Sequence, residues 1–416
     1  MAMTLARELR YALALASGLT PSLALAEGEI SGWRHGIPFA YETGLLDEFG
    51  FGETRKRLAE NGVNIHFSLT GWYQDIVSGG LEEESEASAS YDFQLYFDTA
   101  KMGLWNGGSA VLRFEGKTDD FGVNPFTGAI IPVNFDAAVP APGKEDFLTT
   151  EFWYGQRFAD DKAEVVGGMW DLARFFDVSP FSGPYHYRFA NAHMFFNSVL
   201  LPYAQYNRLG GVFLYRPNDL LTITTAFADP NSTANDLDWF DEGDYDIFHE
   251  WRVFGPVLTK LPTMASAGFV YRDQEMTTLS GGTTDSDWAG YLNFNQWLYQ
   301  DPNNPHQAVG LFGRYGFSDG KVNIIKNHFS LGITGDGVLI PGRPKDSVGL
   351  VGWYNDFSDD LPAVTDESSY GLEAYYRFQA TDWLQITADI QYLIDPGITK
   401  GNDDTTVLGI RAVVHF

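Results

Sequence analysis

From residue 63 to its last residue the sequence is built from segments of about ten residues in which apolar and polar side chains alternate, separated by turn-forming residues. A period of two puts one oily and one wet face on each segment, because successive strand side chains point to opposite sides. After the first 26 residues no run of 18 or more apolar residues occurs, so there is no membrane helix. The chain ends on "TVLGIRAVVHF", with Ile410, Ala412, Val414 and Phe416 on one face and Arg411 and His415 on the other. A last strand of a soluble sandwich has the same alternation, but soluble domains usually end in poorly ordered polar residues rather than an aromatic.

Composition separates the two cases. Aromatic residues make up 15% of the chain, yet hydrophobic residues only 44%, and mean hydropathy is −0.18. Many aromatics without a long apolar block is the composition of transmembrane barrels, where lipid-facing and lumen-facing residues alternate between aromatic girdles. The chain has no cysteine, so its stability does not come from disulfides. A pI near 4.4 argues against nucleic acid as a partner, since a phosphate backbone would be repelled.

Residues 1–26 read as an export signal: Arg7 and Arg10 precede the apolar "YALALASGLTPSLALA", and Ala24-Leu25-Ala26 offers a small-residue cleavage site. The mature chain is expected to start at Glu27. Removing Arg7, Glu8 and Arg10 takes away a net +1, so the formal charge of −28 becomes −29. Residues 27–62 are expected to form a periplasmic segment, in which Leu46, Phe51, Leu58 and Ala59 suggest a short amphipathic helix stopped at Asn61-Gly62.

The fold class expected is all-β, a transmembrane antiparallel barrel over residues 63–416. Strands are predicted at 63–77, 90–102, 108–118, 147–158, 163–171, 204–216, 219–229 and 246–255. A second half follows at 263–275, 287–299, 306–318, 325–334, 346–356, 367–379, 382–394 and 404–416. An even count of sixteen returns both ends to one side of the membrane. Short connections such as "ADDK" (159–162), "RPND" (216–219) and "ATD" (380–382) alternate with long ones at 78–89, 119–146, 172–203 and 230–245. That is the pattern of periplasmic turns and outer loops. The 172–203 connection is long enough to fold into the lumen, and connections of that length are usually functional.

Parity then assigns the faces. A charge on the lipid face near mid-membrane costs roughly 2–4 kcal/mol for Arg or Lys, so Arg377 and Asp389 must face water. The same test turns Arg113, Glu115 and Lys117 inward on strand three, Glu151, Trp153 and Arg157 on strand four, and Glu250 and Arg252 on strand eight. These nine, Asp389 aside, are the candidate lumen-lining site. An inward Trp among charges suits a hydroxyl-rich solute: the ring takes the C–H face and the charged groups take hydroxyls. Arg–Glu rungs that only satisfy one another across the wall are the plainer alternative.

Enzymatic signals are weak. "GFSDG" (316–320) is a literal Gly-x-Ser-x-Gly, but a nucleophile elbow needs a strand, a turn and a helix, and here two strands flank a short loop. His186 and His193 lack metal-pair spacing. The acidic stretches "LEEESE" and "DLDWFDEGDYD" lack an EF-hand's ligand order. A solvated outer surface explains them, with divalent cations bridging the loops to lipopolysaccharide as the alternative. No other cofactor is expected.

"GLEAYYRFQATDWLQITADIQYLIDPG" with "DDTTVLGIRAVVHF" resembles the C-terminal signature of the carbohydrate-selective porins of the OprB family, "LGGVFLYRPNDLLTITTAFADPN" (209–231) resembles its central hairpin, and "GETRKRLAENGVNIHFSLTGWYQD" its N-terminal helix and first strand. The resemblance implies a sixteen-stranded outer-membrane barrel for passive diffusion of sugars, surrounded by lipid and lipopolysaccharide, with a constriction of inward loops, arginines and acidic and aromatic partners. It carries such a role to Arg113, Glu115 and Trp153. It also implies that Phe416 is read by barrel-insertion machinery. A general-diffusion or anionic-solute channel on the same barrel is the competing function, and a lipid-modifying barrel enzyme a third. Acidic residues outnumber basic ones 54 to 25 in the mature chain, which favours cations at the mouths. Monomer and homo-oligomer are both left open.

Overall fold

The computed structural model describes residues 43–118, 121–139, 147–184, 186–204, 208–232, 242–361, 367–397 and 403–416. The export signal and the start at Glu27 lie outside these residues. Two short helices, α1 (Leu45–Glu48) and α2 (Gly52–Glu60), lead into sixteen strands. These are β1 (Val63–Gly80), β2 (Ser85–Asp98), β3 (Gly108–Lys117), β4 (Leu148–Phe158), β5 (Ala163–Trp170), β6 (Arg208–Tyr215), β7 (Leu221–Ala228) and β8 (Tyr245–Gly255). The second half is β9 (Thr263–Thr277), β10 (Thr283–Gln300), β11 (Ala308–Ser318), β12 (Ile325–Asp336), β13 (Ser347–Phe357), β14 (Ser368–Gln379), β15 (Leu384–Ile394) and β16 (Asp403–His415). Each strand pairs antiparallel with its sequence neighbours, and β1 pairs with β16, so the sheet closes. Closure leaves no unpaired backbone facing hydrocarbon.

All sixteen predicted strands are present, with two instructive differences. Residues 78–89 are not a long loop: β1 runs to Gly80, β2 starts at Ser85, and Asp75 is still paired with Ser85. The acidic "LEEESE" therefore sits on a tight hairpin end. Residues 99–102, predicted as strand, are turn, because the Asp98 carboxylate accepts the N–H groups of Ala100 and Lys101 and folds the chain back. The wall is uneven in height, from 8 residues in β5, β6 and β7 to 18 in β1 and β10.

The terminal aromatic has a seat. The Phe416 N–H donates to the Phe67 carbonyl at 2.9 Å, and the two rings lie 4.8 Å apart at the β1–β16 seam. α1 and α2 lie beside this end of the barrel, with Gly44 close against Phe416: Arg55 pairs with Asp47 at 2.8 Å, and the indole N–H of Trp383, in the β14–β15 turn, donates to Glu48 at 2.8 Å. Asn61 and Gly62, the latter at φ +84°, end α2 where the sequence places its stop. Ala59 is its buried residue, while Leu46 and Phe51 are exposed rather than folded into one apolar stripe.

Two long connections fill much of the barrel interior. Loop 2 (118–147) carries helix α3 (Phe135–Ala138) and sits on the β1, β15 and β16 wall. There Asn134 donates to Gln74 at 2.6 Å, and Gln391 donates to the Val133 carbonyl at 2.9 Å. Loop 3 (171–207) is a series of short turns, beginning with α4 (Leu172–Phe175). Asp171, Asn191 and Asn197 each open one, their side chains accepting the N–H two residues on. Inward glycines on the wall make room for it. A Cβ at Gly310 would overlap the Phe181 ring, and one at Gly316 would overlap the Asn197 side chain.

Candidate functional site

Inward parity holds for all nine candidate residues, but the structure divides them among different parts of the lumen. Arg113, Glu115, Glu151 and Trp153 come together on the β3–β4 wall. Arg113 lies 2.5 Å from Asp92 on β2, 2.6 Å from Glu115, 3.4 Å from Glu151 and 3.6 Å from Asp171 at the start of loop 3. Arg174 of α4 adds a second guanidinium, forked onto Glu151, with its Nη2 donating to Glu151 Oε1 at 2.6 Å. Burial and the Glu151 charge raise the Asp171 carboxyl above its ordinary value, and the two arginines offset part of that rise. The result is a two-arginine, four-carboxylate cluster whose charges are spent largely on one another.

Trp153 does not present a free ring. It is 3% exposed, donates its indole N–H to Glu151 at 3.1 Å and is covered edge-on by Phe175. The inward Trp of the sequence is thus part of the packing that seats α4, a role parity cannot distinguish from a sugar platform. Lys117 reaches into loop 2, donating to the Ala137 carbonyl at 2.9 Å with its ammonium over the Phe121 ring.

Glu250 and Arg252 tie down the first half of loop 3. Glu250 accepts the Asp177 N–H at 2.8 Å and the Tyr291 hydroxyl at 2.7 Å, and Arg252 donates to the Phe175 carbonyl at 2.8 Å. Arg377, on the far wall, donates to the Tyr187 carbonyl at 3.2 Å. Arg157 stands apart near the β4–β5 turn, 3.4 Å from Asp161 with its side chain about a third exposed.

Four residues were missed that matter as much as those found. Asp92 was within reach of the parity test, since Ser90, Asp92 and Gln94 share its face of β2. Arg174 and Asp171 were not, because a loop has no period to read. His186 is another: it lies 2.9 Å from Asp92 and 3.1 Å from Asp136 of loop 2, and the Ser90 hydroxyl donates to Asp136 at 2.8 Å.

The remaining motifs resolve simply. Ser318 of "GFSDG" ends β11 and donates to the Ile325 carbonyl at 2.9 Å across a strand–loop–strand turn, with no helix following. His193 donates or accepts at Ser198, stacks 5.3 Å from His328 and is buried as a neutral ring, because burial and the neighbouring imidazole hold its pKa well below the ordinary value. Among the described residues no group of three or more His, Asp or Glu side chains is arranged to hold a metal ion. Most of "DLDWFDEGDYD" lies outside those residues.

Comparison with known proteins places this geometry. Residues 86–416 match the family described as carbohydrate-selective porin, OprB family. Porin B of Pseudomonas aeruginosa is 26% identical over 130 residues, which span 26% of this chain and 28% of that protein. The fold is similar to the high-pH structure of Pseudomonas putida OprB, with a TM-score of 0.78 and 16% identity over 91% of this chain and 100% of that one. It is also similar to a loop-deletion mutant of OmpT, an outer membrane protein of Vibrio cholerae, with a TM-score of 0.51 and 11% identity over 85% of this chain and 99% of that one.

Proposed function

This chain belongs to the carbohydrate-selective porin family, OprB, and we propose that it carries mono- and small oligosaccharides passively across the outer membrane. The family and the closed sixteen-stranded barrel support a channel rather than an enzyme. What supports the sugar reading is the family match over residues 86–416, together with loop 3 docked against the polar β2–β4 wall. There the arginines and carboxylates, none more than 13% exposed, are spent on one another, so the cluster offers no guanidinium to grip a solute tightly and release stays easy.

An anionic-solute channel would need arginines free to meet a carboxylate. Arg113 instead faces Asp92, Glu115 and Glu151, and Arg174 faces Glu151, which favours the neutral solute. The surroundings follow from the same reading: lipid and lipopolysaccharide outside, sugar solutes within, and insertion machinery reading the strand that ends at Phe416.

The test is single-channel current through the purified protein in a planar bilayer with glucose titrated in. Saturable block by glucose, absent with a non-sugar polyol of similar size, is expected. Steady conductance untouched by sugar would move the function to general diffusion.

A further inference from the structure

Loop 3 does more than narrow the lumen; it crosses it. Its first half follows the β8–β12 wall, where Asp177 pairs with Arg314 at 2.9 Å, Ser179 donates to Asn295 at 2.5 Å and Thr334 of β12 donates to the Phe181 carbonyl at 2.8 Å. Five residues later His186 lies between Asp92 of β2 and Asp136 of loop 2. Around the closed sheet β12 and β2 are six strands apart by the shorter way, which in a ring of sixteen is close to the opposite wall. Just beyond His186 the chain is held on the β12–β16 side again. There Tyr187 stacks on His415, Arg188 pairs with Asp336 at 2.9 Å, and the Asn191 N–H donates to Glu373 at 3.2 Å. His186 is therefore the far point of a strut, and its imidazole ties loop 3, loop 2 and β2 together.

Taking the porin reading as its premise, we propose that His186 is the positioning residue that holds loop 3 across the lumen and thereby sets the width of the passage and its grip on sugar. Breaking its two ion pairs removes the ties to β2 and loop 2, leaving this part of loop 3 held by β12, β14 and β16 and free to draw back from the β2 wall.

The groups that face His186 decide when it holds. Asp92 and Asp136 are the anions, Arg113 draws on Asp92 from β3, Arg411 of β16 acts on Asp136, and His415 and Tyr187 lie alongside. Burial works against the imidazolium, but the Asp92 charge and the contacts to Asp136 and Asp92 outweigh it, and the pKa rises to about 9. A raised histidine pKa means the latch is complete below the ordinary value of about 6.5 and is lost as pH rises through about 9.

The experiment is single-channel recording of wild-type, His186→Gln and His186→Arg barrels from pH 6 to pH 10, each folded as judged by mobility without boiling, with and without glucose. Expected are a wild-type rise in conductance and a loss of glucose block near pH 9, the same open, sugar-insensitive state for His186→Gln at pH 7, and a latched His186→Arg channel still blocked by glucose at pH 10. A His186→Gln channel with wild-type conductance and glucose block at pH 7 overturns the proposal. A barrel that glucose never blocks refutes the sugar reading, while the conductance readings, which need no sugar, still decide the latch.

Discussion

Replacing Arg113 with Met tests whether its guanidinium serves the wall or the solute. Its side chain is 7% exposed, and the facing Asp92, Glu115 and Glu151 side chains are 7%, 3% and 0% exposed. Removing one partner of a buried ion pair costs about 3–5 kcal/mol, mainly because the anions left behind are unpaired. Here three carboxylates lose a common counter-charge, so the upper part of that range applies, partly relieved by Arg174 on Glu151. The expected effect is therefore on stability first, ahead of any change in flux. Urea unfolding of the detergent-folded protein, followed by tryptophan fluorescence and by mobility without boiling, measures it. Adding Glu115→Gln to Arg113→Met should restore stability, with a coupling of about 1–3 kcal/mol in the double-mutant cycle. An Arg113→Met barrel with an unchanged unfolding midpoint but reduced sugar block would refute the argument.

Tyr203→Phe removes a hydroxyl that donates to buried Asp287 at 2.6 Å; a loss of about 1.5–3 kcal/mol in loop 3 docking should show as faster proteolysis of that loop in the folded barrel, and unchanged cleavage would count against it. Gly310→Leu fills the seat beneath Phe181 and should raise conductance without altering barrel mobility, whereas wild-type conductance would mean the seat is not needed. Phe416→Ala removes the ring pair with Phe67 and should lower the yield of folded barrel; equal yield would confine Phe416 to packing that the seam can spare. The zero-current potential in a salt gradient should favour cations, given paired lumen arginines and a −28 chain; anion preference would point to arginines that are free.

The barrel was legible because a strand's faces repeat every two residues and lipid penalises every misplaced charge. Parity alone turned Arg113, Glu151 and Arg252 inward. What it could not give is which inward side chains meet, since that depends on loops 2 and 3, whose Asp- and Asn-capped turns carry no period. Trp153 shows the limit: the same inward indole reads as a sugar platform in sequence and lies under Phe175 in the structure. The "LEEESE" stretch shows another, because charge was read as loop where a hairpin rises clear of the bilayer and polar strand is tolerated.

The uneven wall has a consequence for the membrane itself. At a rise of ~3.3 Å and a tilt of ~40°, the 8 residues of β5, β6 and β7 stand about 20 Å tall, while the 18 of β1 and β10 stand about 45 Å. The apolar band of such barrels is about 25 Å. Lipid beside the low side is pinched or the barrel leans toward it, at a fraction of a kcal/mol per Å. The protein thus carries a built-in thin spot in its annulus of lipid, and neighbours in a crowded membrane meet it with a preferred orientation.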